Sequence, residues 1–112
     1  MTDIIQEILR PFEVTPRFAG YPALTLAVAR CLEDPDRLSS VTSELYLPAA
    51  RQQGCKLACV ERNLRTIVQH AWDVNPAELR VLAGYPLFTA PTVSAFLAFL
   101  TREVARRLPS AQ

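Results

Sequence analysis

Nine prolines and three glycines break this 112-residue sequence into short segments. Within the segments, apolar residues recur every three or four positions, and no segment alternates apolar and polar residues for long enough to indicate a strand. Proline lacks the backbone N–H that a helix interior needs, so each proline is expected at a helix end or in a first helical turn. The sequence therefore predicts an all-α fold, a compact bundle whose helices are bounded by proline and glycine.

The positions of these residues predict the helix boundaries. Pro48 is expected to divide the region between Ser39 and Gly54 into two short helices, because an uninterrupted helix would need the N–H that Pro48 lacks. Asn75 should cap the helix that begins at Pro76. The predicted helices cover about residues 4–10, 22–32, 40–45, 47–53, 56–73, 76–83 and, opened by Thr92 or Ala90, 92–108.

Length and composition indicate one domain over residues 1–112, because a chain of this size that is 50% hydrophobic can bury a core without disulfides. The three cysteines, an odd number, favour a reducing compartment. The first residues lack the basic region of a signal peptide, and no apolar run approaches the roughly 18 residues of a membrane span. We therefore expect a cytoplasmic protein with no membrane partner. A net charge of +1 means that any basic surface must be local.

The segment with the clearest helical periodicity is CVERNLRTIVQHAW, residues 59–72. Its apolar residues recur at the spacing of one buried helix face, which comprises Val60, Leu64, Ile67, Val68, Ala71 and Trp72. The opposite face is polar and consists of Cys59, Arg62, Arg65, Thr66 and Gln69, with Glu61 at its edge. We expect Val68 and Trp72 to fill the core behind this polar face.

A short helix, a turn at Gly54 and a second helix with outward arginines are the components of a helix-turn-helix. Ala50, Gly54 and Val60 occupy the positions where this motif needs a small residue, a turn glycine and a buried aliphatic residue. Asn63, however, stands where the next apolar residue is expected, and Leu64 follows one position later. The pattern alone therefore leaves DNA binding and a plain helical hairpin both open.

Positive charge is concentrated on the segment that contains the second helix. Residues 47–71 have a net charge of +3, whereas residues 33–46 have a net charge of −3. Arg62 and Arg65 suit DNA reading because a guanidinium group can bond guanine O6 and N7 together, and Glu61 can accept from a cytosine amino group. The alternative is a solvated helix face on which Glu61 and Arg65 form a surface pair worth about 0.3–0.5 kcal/mol.

Other chemical functions have little support in the sequence. Cys55 and Cys59 lie near a helix N-terminus beside basic residues, a setting that can activate a thiol. A metal site needs further ligands, and the only histidine, His70, lies about 16 Å along the helix from Cys59. The sequence has no Ser/His/Asp arrangement, paired-carboxylate motif or phosphate-binding glycine loop. We therefore expect no catalytic residue, no metal and no cofactor.

Several segments resemble one known family in order and nearly in spacing, from about Ile4 to Leu108. They are AGYPALTLAV, SSVTSELY, CVERNLR followed by HAW, LAGY, and PTVSAFLAFL. The family is the DNA-binding effector domain of the sporulation response regulator, stage-zero sporulation protein A. The resemblance implies a compact bundle of about six helices containing a helix-turn-helix. It also implies that the second helix of this motif enters the major groove of double-stranded DNA, and that copies bind side by side as a dimer on DNA.

The resemblance further implies which residues contact DNA. Glu61, Arg62 and Arg65 match the Glu, Arg and Arg with which the family faces bases and nearby phosphates. Beside them the chain departs from the family: residues 54–56 replace a threonine at the helix start, residues 58–59 replace Ser-Arg, and Thr66 replaces a histidine. The expected DNA-binding residues are Lys56, Cys59, Glu61, Arg62, Arg65 and Thr66.

These observations predict a transcription regulator that binds a specific duplex DNA sequence. The alternative is a degenerate module of the same fold that binds another protein, such as the related regulator, without reading DNA. In the family, a phosphorylatable receiver domain precedes this module. Because residue 1 already adjoins the first predicted helix, we expect a stand-alone relative without a receiver domain.

Overall fold

The computed structural model describes residues 2–108, with side chains from Asp3 onward, and within this range the chain is all helical, as predicted. Three shorter helical segments connect the α-helices: a 3₁₀ turn at Arg10–Phe12, a 3₁₀ segment at Pro35–Ser40 and a π-helical segment at Thr42–Tyr46. None of the helices in this range is both long enough and apolar enough to cross a membrane. The α-helices are α1 (Thr2–Leu9), α2 (Tyr21–Glu33), α3 (Leu47–Gln53), α4 (Leu57–Val74), α5 (Pro76–Ala83) and α6 (Val93–Arg107).

Capping side chains begin α5 and α6 where the sequence predicts them. The Asn75 side chain accepts the backbone N–H of Glu78 at 3.1 Å, and the Thr92 hydroxyl accepts the backbone N–H of Ala95 at 3.1 Å. Each bond satisfies an N–H that has no partner inside its own helix. Thr92, rather than Ala90, therefore opens α6.

The predicted boundary before Pro48 is confirmed, because a π-helical segment ends at Tyr46 and α3 begins at Leu47 with Pro48 in its first turn. The two segments are nevertheless continuous, since Tyr46 and Leu47 both have right-handed helical backbone angles. In an α-helix the N–H of residue 48 would donate to the carbonyl of Glu44. That carbonyl instead accepts the Nε–H of Arg30, in α2, at 2.6 Å. A side chain 14 residues away thus replaces the donor that proline lacks, and a π-helical turn absorbs the irregularity.

The core lies between α2 and α6, and α1, α4 and α5 pack around this pair. On α4, the predicted apolar stripe is buried except at Trp72, which is half-buried at the edge of the core. The Trp72 ring lies beneath the guanidinium of Arg80, 5.3 Å from the ring centroid. The expectation that Trp72 fills the core is wrong, because at about 100° per residue position 72 falls on the margin of the stripe.

Gly20 brings the start of α2 against the middle of α4. A Cβ atom placed on Gly20 would lie 2.8 Å from the carbonyl oxygen of Asn63 and 3.1 Å from Cδ1 of Ile67. The backbone of α4 therefore packs directly on Gly20. A helix-turn-helix usually has a buried apolar side chain at the position of Asn63. Here the backbone at Gly20 packs against the backbone of Asn63, and Leu64, one position later, supplies the buried apolar side chain.

Candidate nucleic-acid interface

A three-residue turn, residues 54–56, connects α3 to α4. Gly54 adopts the left-handed conformation, with φ +64° and ψ +36°, which favours glycine. The N–H of Cys55 donates to the carbonyl of Ala50 at 3.0 Å, so the last turn of α3 ends in a Schellman-type arrangement. Ala50 and Val60 are buried in the core beneath the turn. The turn therefore fixes the path of α4 relative to α3 through local hydrogen bonds and packing.

The solvent-facing side of α4 is centred on Arg62. The buried residues of this helix lie on one side of its axis, and at about 100° per residue Arg62 and Gln69 lie almost opposite them. Arg65 and Thr66 lie on either flank of Arg62, and all four side chains are exposed. Among residues 3–108, Arg62 forms no ion pair with a carboxylate, so its guanidinium donors are available to a ligand.

Two other predicted contact residues are engaged within α4. Arg65 Nη2 lies 2.8 Å from Glu61 Oε1, and the two side chains are 65% and 49% exposed. The Thr66 hydroxyl donates to the carbonyl of Arg62 at 3.0 Å. An exposed ion pair is worth no more than about 1 kcal/mol, so Arg65 can exchange Glu61 for a ligand at low cost. Thr66, in contrast, presents only its acceptor lone pairs while this bond is made.

The N-terminus of α4 is open. Lys56 is the N-cap residue, its backbone is extended (φ −77°, ψ 151°), and within the described residues no side chain caps this helix end. The N–H groups of Leu57 and Ala58 precede that of Cys59, the first to donate within the helix, and both residues are exposed. An uncapped helix N-terminus with a lysine beside it suits a phosphate. The sequence indicates that the family's threonine cap is missing at the start of α4, but it does not indicate that the backbone N–H groups of Leu57 and Ala58 are exposed.

Cys59 is half-buried on the flank of the exposed face. Its sulfur accepts the Nδ2–H of Asn63 at 3.7 Å. The structure thus places all six predicted contact residues in or next to the first three turns of α4. Arg62 and Lys56 are exposed cations, Glu61, Arg65 and Thr66 have partners inside the helix, and Cys59 is only partly accessible.

A groove of about 550 Å³ runs beside α4 and was not apparent from the sequence. One wall consists of Glu61, Arg65 and Gln69, and the other includes residues 90–94 before and at the start of α6. Tyr46 also lines the groove. Burial and then the negative charge of Glu61 raise the pKa of its hydroxyl, while Arg65 opposes this shift. The groove makes the Glu61–Arg65 edge of α4 concave rather than flat.

His70 does not belong to the exposed face. Its ring packs against Phe18, with 4.9 Å between the ring centroids, so it lies at the edge of the core. In the part of the chain that the structure describes, no three His, Cys, Asp or Glu side chains come together in a group that could hold a metal ion. The exposed face of α4 instead carries the cationic and hydrogen-bonding groups of Arg62, Arg65 and Thr66.

The family described as sporulation initiation factor Spo0A C terminal matches residues 5–104. The match extends from α1 into the last turns of α6 and includes α3, the turn and all of α4. It agrees with the resemblance found from the sequence segments. The chain therefore belongs to the sporulation initiation factor Spo0A C-terminal family, a family of DNA-binding regulatory domains.

Proposed function

We propose that this chain is a transcription regulator that binds a specific duplex DNA sequence through α4. The observation that carries the proposal is the position of Arg62, exposed and without an ionic partner among the described residues, at the centre of the solvent-facing side of α4. This face stands one turn from an open helix N-terminus, in a chain whose family binds DNA. In this proposal α3, the turn and α4 act as the helix-turn-helix of a single DNA-binding domain.

Each exposed residue has a distinct role in this proposal. Arg62 donates two parallel hydrogen bonds to guanine O6 and N7, and Arg65 does the same after leaving Glu61. Glu61 is then free to accept from a cytosine amino group. Lys56 and the backbone N–H groups of the first turn of α4 bind a DNA phosphate, which fixes the protein on the duplex without reading sequence.

Cys59 and Thr66 lie on the same flank of α4, one before and one after Arg62, and border the DNA there. Both side chains are short, so the edge of the DNA major groove can approach the axis of α4 closely. We further propose that two copies bind side by side on adjacent DNA elements, as the family resemblance implies. Such pairing would increase the length of sequence that is recognised, because each copy contributes its own α4.

A second candidate function is protein binding without DNA reading. The observation that favours it is the internal pairing along α4: Glu61 bonds Arg65, Thr66 bonds the Arg62 carbonyl, and Gln69 Nε2 donates to Asp73 at 2.9 Å. A face whose polar groups are already satisfied has fewer donors to offer bases. The adjacent groove of about 550 Å³ would then receive a side chain of the partner, such as a related regulator.

Selection from a random pool of labelled duplexes separates these two functions. DNA reading predicts enrichment of a short motif containing guanine, and Arg62→Ala and Arg65→Ala should each weaken binding to that motif by about 1–3 kcal/mol, or roughly 5- to 150-fold. Arg10→Ala is the matched control. Arg10 is exposed, and its neighbour Pro11 contacts Asn75 at the other end of α4, about 20 Å from Arg62.

The control distinguishes specific reading from general charge attraction. Equal losses in Arg10→Ala and Arg62→Ala would mean that only net charge matters. Failure of the pool to enrich any motif, with all proteins folded by circular dichroism, would contradict DNA reading. The protein-binding function would then be tested by mixing the chain with the related regulator and measuring the mass of the complex.

A further inference from the structure

The loop between α5 and α6 presents a phenylalanine to solvent. Phe88 is 87% exposed, more than any other large apolar side chain in the described part of the chain, and Val81 and Tyr85 close to it in sequence are also exposed. The preceding residue, Leu87, is buried, and the Nε–H of Arg80 donates to its carbonyl at 2.9 Å. The loop is therefore attached to the body of the protein just before Phe88. Three large exposed apolar side chains in one short segment indicate a contact surface.

An apolar pocket of about 300 Å³ lies elsewhere on the molecule, between α2, the 3₁₀ segment Pro35–Ser40 and α6. We call it the α2–α6 pocket. Its lining includes Leu32, Leu38 and Ala105, and no residue between 81 and 88 contributes to it. An apolar cavity of about 150 Å³ holds one benzene molecule. The α2–α6 pocket therefore has room for a phenyl ring, and the Phe88 ring of the same chain does not fill it.

The charges beside Phe88 and beside the α2–α6 pocket are opposite in sign. Arg80, which holds the loop before Phe88, is exposed and forms no ion pair within residues 3–108. Pro35 lines the pocket, and its two neighbours, Asp34 and Asp36, are exposed carboxylates that also lack an ion pair in this range. An apolar side chain beside a cation thus matches an apolar pocket beside two anions.

We propose that Phe88 of one copy enters the α2–α6 pocket of a second copy, and that Arg80 of the first copy faces Asp34 and Asp36 of the second. The occupant is a second copy of this chain because the chain itself carries both complementary surfaces. The two surfaces differ, so the contact is heterologous: copies associate head to tail, and each complex keeps a free Phe88 at one end and a free pocket at the other.

This contact is expected to be weak in solution. One phenyl ring and one group of charges bury far less than the roughly 1,200 Å² that stable protein complexes need. Two copies bound to neighbouring DNA motifs, in contrast, are held at a high effective concentration. The same contact would then couple their binding, a consequence that rests on the proposed function. Because the association is head to tail, the two motifs would repeat in the same orientation.

The first test measures self-association without DNA, by analytical ultracentrifugation of the full chain at increasing protein concentration. Phe88→Ala removes the ring, and Ala105→Trp places a large side chain at an exposed position that lines the pocket. The wild type should form dimers and then larger species, whereas each variant alone should stay monomeric. An equimolar mixture of the two variants should form dimers and nothing larger, because one variant supplies the ring and the other supplies the open pocket.

A charge variant provides a matched comparison. Asp36→Lys should weaken self-association, and Asp3→Lys, the same substitution at an exposed carboxylate outside the pocket, should not. This pair keeps the test decisive if Ala105→Trp does not fold, and circular dichroism checks the folding of every variant.

The second test uses duplexes that carry two copies of the selected motif. With motifs in the same orientation, the wild type should bind the second copy about 5- to 150-fold more tightly than the first. Phe88→Ala should reduce this factor toward one and leave the affinity for a single motif unchanged. Motifs in opposite orientations should show no such factor.

The remaining results count against the proposal. Self-association that survives both Phe88→Ala and Asp36→Lys would place the contact elsewhere, and a wild type that stops at the dimer would contradict head-to-tail association. A wild type that stays monomeric at every concentration and binds two motifs independently would overturn the contact itself. If the chain binds no duplex, the proposed function fails, and the measurements without DNA alone decide whether the contact exists.

Discussion

Replacing Gly20 by alanine measures how tightly α4 is held against the start of α2. The Gly20 backbone is right-handed, with φ −83° and ψ −2°, so alanine meets no conformational penalty there. The new Cβ, however, would lie 2.8 Å from the Asn63 carbonyl oxygen and 2.9 Å from its carbon. Both are backbone atoms within a helix, so α4 must shift. Overpacking of this kind costs about 1–3 kcal/mol, and the reduced freedom of the unfolded chain offsets about 0.4–1 kcal/mol.

The expected net loss is therefore about 1–2 kcal/mol, or a fall in Tm of roughly 4–10 °C for a domain of this size. Urea unfolding followed by circular dichroism measures it directly. Gly54 supplies the control, because its φ of +64° is left-handed and no other atom lies within 4 Å of the added Cβ. Asparagine tolerates that conformation, so Gly54→Asn should be nearly neutral while Gly20→Asn is destabilising. A Gly20→Ala protein as stable as the wild type would refute the close backbone contact.

Three further results are expected. Arg62→Ala and Arg65→Ala should each reduce affinity for the selected duplex while leaving Tm within about 2 °C of wild type, because surface substitutions change stability by less than about 0.5 kcal/mol. The Arg106 and Arg107 guanidinium groups hold the pKa of the Glu103 carboxyl at about 2, below its ordinary 4.5, so the stability that this cluster contributes is present above pH 4.5 and lost as pH falls toward 2. A Glu103→Gln protein should lose less stability than wild type over that interval; equal losses in the two proteins would exclude this contribution. Trp72→Ala should cost less than the 3–5 kcal/mol typical of a fully buried aromatic residue, because Trp72 is only half-buried, and urea unfolding of this variant checks it.

Local signals in the sequence predict the helix ends that depend on neighbouring residues. The cap of α5 at Asn75 and its end at Gly84 are both correct, since each rests on a backbone conformation or hydrogen bond within four residues. The path through Pro48 could not be predicted in the same way. It depends on Arg30, which is distant in sequence and brings a donor to the Glu44 carbonyl only after α2 has packed.

The candidate site was predictable to a similar degree. Helical periodicity identifies Arg62 as an outward residue, and the four-residue spacing of Glu61 and Arg65 predicts the ion pair that the structure contains. The contact of Gly20 with α4 and the groove beside Tyr46 depend on how separate helices meet.

Two contacts, one at each end of α2, give this helix a defined length and rotation. Gly20, immediately before α2, supports the middle of α4, and Arg30, near its end, holds the segment that leads into α3. Arg30 lies ten positions after Gly20, a separation of about 15 Å and nearly three helical turns. Adding or removing one residue inside α2 would rotate one contact relative to the other by about 100°. The residue count of α2, which has no DNA contact in the proposed complex, therefore helps to set the orientation of the two helices proposed to meet DNA.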